Sequence, residues 1–142
     1  MTTTNSGDTT MMTARSSIRD QYVALYTQTI AEAEEYLARE AESARLGHVA
    51  LAAHVWAVAL EDCTMAIGSV AGRDGRKGYA LKGVRGDVCG TLLWTRQDAD
   101  MIARAWTAED GHPPVRPIHK TALVQARKAH AEAMLQTLAE IQ

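Results

Sequence analysis

Three tetrapeptides, GRDG (72–75), GRKG (75–78) and GVRG (83–86), place arginine and lysine between glycines in the segment 70–90, which holds six of the chain's ten glycines. Bare backbone beside cationic side chains suits phosphate, because exposed N–H groups can approach the anion closely while the side chains neutralise it. Across residues 73–96, Arg73, Arg76, Lys77, Lys82, Arg85 and Arg96 stand against Asp74 and Asp87 alone, a net +4. Arg116, Lys120, Arg127 and Lys128 add another +4 over residues 116–128, a stretch without acids, and the chain total of −2 leaves −10 for everything else. If the two basic segments meet, they form a cationic patch on an acidic body. The G-x-x-G spacing is also used by a single-strand-binding module to clamp nucleic-acid backbone, but the strands that support such a loop are not evident here. Neither a Walker loop nor a dinucleotide fingerprint occurs. Tyr79 and Trp94 flank the insert as candidates for stacking on bases. Trp94, directly before a helix, reads more simply as a core anchor, and the glycines more simply as turn residues.

A second set of side chains could do other chemistry. His54 and Glu61 lie seven apart, hence on one face if their segment is helical, with Asp62 and Cys63 just beyond; these residue types bind metals and move protons. Zinc sites usually show closely spaced ligand pairs, and neither C-x-x-C nor H-x-x-x-H is present, so no metal or other cofactor is expected. The plainer reading makes His54 a hydrogen-bonded core residue and Glu61 and Asp62 the point where a helix reaches solvent. His112, His119 and His130 cluster in sequence around the second basic segment. Cys89 is the thiol whose basic neighbours favour the thiolate.

The elements that would carry these residues read as helices. Ser17 and Asp20 resemble a capping box ahead of an apolar recurrence from Ile18 to Ala44, which ends at Gly47. Residues 48–68 are apolar nearly all round and read as a buried core helix, too short to span a bilayer. Thr95 and Asp98 cap a third helix up to Gly111, and a fourth runs from about Thr121 to Ile141. Between the second and third, YALK and DVCGTLLW read as a hairpin turning at GVRG. The three prolines of GHPPVRPIHK force an extended connection. Residues 1–14, rich in Thr and Ser, read as a disordered tail. The expected fold is therefore all-α, a single domain over residues 15–142 with four helices and one basic, glycine-rich insert (70–94).

Length, 46% hydrophobic content and 23% charge are those of one folded domain; with no Phe and 25 Ala, its core must rest on small residues at close helix contacts. Two cysteines make no disulfide framework, and no apolar leader precedes the tail, so a cytoplasmic protein is expected. The sequence points to a non-enzymatic binding protein that engages a polyanion, foremost nucleic acid, through Arg73, Arg76, Lys77, Lys82, Arg85, Arg96, Arg116, Lys120, Arg127 and Lys128. Two alternatives stand beside it. One is a homo-oligomeric interaction module or inhibitor, of phage or mobile-element type, that docks on an acidic protein surface. The other is a small metal-dependent enzyme built on His54, Glu61 and Asp62. A homodimer through the first two helices is expected, because the first is long enough to overhang one domain.

Overall fold

The computed structural model describes residues 7–47 and 53–141. In chain order its elements are helix α1 (Gly7–Arg45), strands β1 (Trp56–Leu60), β2 (Met65–Ala71) and β3 (Lys77–Gly83), helix α2 (Arg96–Ala108), strand β4 (Val115–His119) and helix α3 (Lys120–Glu140). The strands form one antiparallel sheet in the order β3-β2-β1-β4. The all-α expectation is thus overturned: three helices flank a four-stranded sheet. The expected core helix is where the reading fails. Its described part holds β1, a turn and β2, while residues 48–52 lie outside the described residues.

The reason is burial on both faces. Along β1, Trp56 and Val58 pack with Ile67, Ala99, Ala103 and Trp106 on the face that α2 covers. Ala57 and Ala59 point to the opposite face and pack with Ile118, Leu123, Val124 and Ala33. A strand covered on both sides loses the polar alternation that marks a half-exposed one, and its apolar run then resembles a buried helix. α2 covers one face of the sheet; α3 covers the other, and α1 lies against α3 and reaches the same core through Ala33, Tyr36 and Leu37. Val58, Ile67, Leu123 and Val124 are fully buried, each contributing on the order of 2 kcal/mol of apolar transfer free energy.

The expected hairpin exists with a different partner. YALK lies in β3, but β3 pairs with β2 from Met65↔Gly83 to Ala71↔Lys77, and the turn is Gly72–Arg76 rather than GVRG. DVCGTLLW instead folds back as a wedge: β1 and β2 part after the Ala59↔Ala66 pair, and the gap is bridged by Trp56↔Trp94 and Gly68↔Thr91. GVRG anchors the sheet to α1. A Cβ on Gly86 would overlap the Thr29 carbonyl oxygen and lie 2.8 Å from Glu32 Cβ, so glycine is what allows this approach.

The two edges of the sheet differ. On β4, which the sequence presents as an extended proline segment, the outward N–H of Val115 goes to Thr107 Oγ1 at 3.2 Å. Pro117, two residues on and facing the same way, has no N–H to offer. His119 Nδ1 accepts the N–H of Thr121 at 3.1 Å and caps α3. Among the described residues β3 has no such cover. Gly72 N–H bonds Arg76 O at 2.7 Å, which fixes the hydrogen-bonded pairs as 72/76, 70/78, 68/80 and 66/82, and leaves the N–H and C=O groups of Lys77, Tyr79, Leu81 and Gly83 pointing away from the sheet.

At 39 residues α1 is about 58 Å long. It runs antiparallel to α3, with Glu40 2.9 Å from Lys120 and Tyr26 edge-on to His130 at 6.2 Å between rings. Ile18, Tyr22 and Leu25 on α1 remain about half exposed. The helix starts upstream of the Ser17 capping box, at Gly7; of the expected tail, residues 1–6 lie outside the described residues. α2 and α3 fall where the sequence places them, and Thr95 caps α2 by accepting the N–H of Asp98 at 3.1 Å.

Candidate nucleic-acid interface

The ten basic residues are not gathered in one place. Arg73, Arg76 and Lys77 come together at the β2–β3 tip, where Gly75 takes a positive φ of +79° and the Asp74 carboxylate accepts the Arg76 N–H at 3.1 Å. Arg76 Nε lies 3.5 Å from Asp74 Oδ2, with the two side chains 89% and 64% exposed, so water screens the pair heavily. Arg73 and Lys77 are exposed and have no ion pair among the described residues. Tyr79, two residues along β3 from Lys77 and hence on the same face, is 66% exposed.

Arg96 stands at the same end of the molecule, since β1 begins there with Trp56. Its guanidinium sits 4.3 Å from the Trp56 ring centroid and 3.6 Å from Asp100. Lys82 projects from the opposite face of the ribbon. Its stem passes so close to Gly68 that a Cβ there would lie 2.7 Å from Lys82 Cδ, and its ammonium reaches Ser69 O at 3.4 Å.

The remaining five are engaged by the body of the protein or placed away from the tip. Arg85 bonds Glu32 of α1 at 3.2 Å and lies 4.0 Å from Asp87; the hydrogen bond to Glu32 raises its pKa, holding it charged. Lys120 donates to Glu40 at 2.9 Å and lies 5.7 Å from the Tyr36 ring centroid. Burial alone would lower the Lys120 pKa, but hydrogen bonds with Glu40 and Tyr36 outweigh it and the pKa is raised. The Lys120 hydrogen bond in turn lowers the Glu40 pKa, and burial raises that of Tyr36. All three shifts move away from neutral pH, which makes the group a clamp between α1 and α3. Arg127 donates to Val84 O at 2.8 Å and approaches His130 Nδ1 at 2.7 Å. Arg116 reaches Glu61 O at 3.5 Å and Cys63 Sγ at 3.9 Å, on the far end of β1. Lys128 is half-buried on α3. Of the second basic segment only Arg127 meets the insert, at Val84 and beside Arg85, away from the hairpin tip, and Lys120 takes Glu40 of α1 as its counter-ion.

The alternative centre at His54, Glu61 and Asp62 is taken apart by the fold. His54 precedes β1 and Glu61 follows it, so the helical face that would bring them together does not exist; seven residues of extended chain separate them by about 23 Å. Asp62 accepts the Thr64 N–H at 3.0 Å and the Thr64 hydroxyl at 2.7 Å; these bonds, the backbone one foremost, lower its pKa. Burial raises the Cys63 pKa, only partly offset by Arg116, so the thiol is kept protonated. His112 stacks on Trp106 at 4.0 Å, His119 caps α3 and His130 meets Arg127, each in its own place. Among the described residues no three His, Cys, Asp or Glu side chains gather into a metal-holding group.

The sequence reading missed Arg104, an isolated cation outside both basic runs, which lines a groove of about 470 Å³ between α2 and β4 with Asp100 and Arg116. It also missed the open edge of β3, which depends on strand order and leaves no local mark. Among the described residues, no helix is long and apolar enough to cross a membrane. Comparison with known protein families, with curated proteins and with solved structures finds no match for this chain.

Proposed function

We propose that the protein binds nucleic acid through the β2–β3 hairpin, with Arg73, Arg76 and Lys77 on phosphates and Tyr79 beside them. The observation that supports this is the tip itself: three cations and one acid on a glycine-bearing turn, at the end of a two-stranded ribbon. A ribbon of that width fits the major groove of a duplex, and its cations need not be stripped from any strong internal partner before they meet phosphate. Arg96 extends the cationic surface along the same end. Two of the remaining basic residues, Arg85 and Arg127, hold the loop after β3 against α1 and α3.

Fluorescence anisotropy of labelled duplex and single-stranded oligonucleotides across a salt series tests the reading. Three phosphate contacts on a duplex predict a log-log slope of affinity against salt of about −2.7. Replacing Arg73, Arg76 and Lys77 together by alanine should remove most of that slope, while Arg116→Ala should leave it unchanged. Absence of saturable binding at the lowest salt would refute the proposal and leave the tip as a docking surface for an acidic protein, the other use these cations suit.

A further inference from the structure

The uncovered edge of β3 carries a sequence that is complementary to itself. We infer that two copies of this chain associate by pairing their β3 strands antiparallel across a two-fold axis at Ala80, joining two four-stranded sheets into one of eight. This inference does not rest on the nucleic-acid reading, though both use Tyr79, which the paired strands would cover.

The argument starts from which backbone groups face outward. Lys77, Tyr79, Leu81 and Gly83 present their N–H and C=O groups away from β2, and an antiparallel partner must match outward residues with outward residues. Centring the axis on Ala80 does this over the whole strand, setting Lys77 against Gly83, Gly78 against Lys82 and Tyr79 against Leu81 of the other copy. Each lysine then faces a glycine. Lysines on an edge strand normally discourage pairing, because a second strand brings like charge opposite them. In this register that repulsion is absent. Moving the axis to Tyr79 would set Lys82 against Arg76, and either one-residue move shortens the paired stretch.

The side chains fit as well. Tyr79, 66% exposed in the single chain, meets Leu81 across the interface on the α2 face, the kind of aromatic–aliphatic pair that stabilises cross-strand contacts. At the Gly83 end of the edge an open groove of about 430 Å³, lined by Leu25, Gln28 and Glu32 of α1 and by Arg85 and Arg127, lies between the strand and the helix. The contact is isologous and closed, as most homo-oligomeric interfaces are. The opposite edge offers no equivalent, because Pro117 and Thr107 close it.

Light scattering or sedimentation, without nucleic acid and from micromolar to sub-millimolar protein, should show the mass rising to twice that of the chain. Tyr79→Pro removes an N–H that the hairpin itself does not use, so it should return the protein to monomer with its far-ultraviolet dichroism intact. A second variant does not depend on that fold surviving. Ala80→Cys in a Cys89→Ser background places two thiols at a non-hydrogen-bonded pair, with Cα atoms about 4.5 Å apart and within disulfide reach. Mild oxidation should link this variant into a dimer and leave an Ala71→Cys control unlinked. A monomer at every concentration overturns the inference. So does a dimer without the Ala80→Cys link; where the two variants disagree, the link decides, because only this contact brings the two Ala80 positions together.

Discussion

Gly86 and Gly83 differ by three positions and by everything around them. A Cβ at 83 meets nothing within 4 Å, whereas one at 86 runs into the backbone of α1 at Thr29 and Ala33. Gly86→Ala should therefore cost about 2–3 kcal/mol as the loop is pushed off the helix, lowering the thermal midpoint by roughly 10 °C. Gly83→Ala should shift it by no more than a degree or two; equal midpoints for the two variants would show that the loop yields freely. That the insert needs bare backbone is legible in its six glycines. Which glycine is indispensable is not, because the obstacle at 86 belongs to a helix some fifty residues earlier in the chain. The same holds for Arg85 and Lys120, which read as free cations until Glu32 and Glu40 are found beside them.

Among the elements, α2 was legible from its amphipathic face and its Thr95–Asp98 cap, and α3 from the apolar stripe that begins near Thr121. β1 and β2 were not. WAVAL and the Ala66–Gly68 part of MAIGSVA are buried on both faces, which erased the alternation that would have separated strand from helix. How the outermost helices hold together is testable through the Tyr36–Glu40–Lys120 clamp. Glu40 has a lowered pKa, so its contribution is present above its ordinary value of 4.5 and is lost as pH falls below it. Lys120 and Tyr36 have raised values, so theirs are full below about pH 10 and fade as pH rises beyond it. Chemical denaturation should accordingly show a plateau between these limits. Lys120→Met should lower it by about 1–2 kcal/mol and flatten the alkaline fall; an unchanged alkaline limb would place the titrating group elsewhere.

At the scale of the molecule, the segregation of charge along the chain was legible and its arrangement was not. The two basic runs were expected to share a surface, but the fold sends only Arg73, Arg76 and Lys77 of one to the hairpin tip, and of the other it holds Lys120 on Glu40 of α1 and Arg127 on Val84. Strand order also decides how the protein can grow. In polymer terms, a sheet with two open edges is a bifunctional monomer and adds to itself without limit. Closing β4 with a proline and a threonine makes this sheet monofunctional, so that association through β3 terminates at its first step. Restoring the second functional group, by Pro117→Val together with Thr107→Ala, should carry the protein past the dimer into species whose scattering climbs with time. An unchanged size distribution would mean that something other than these two side chains ends the chain reaction.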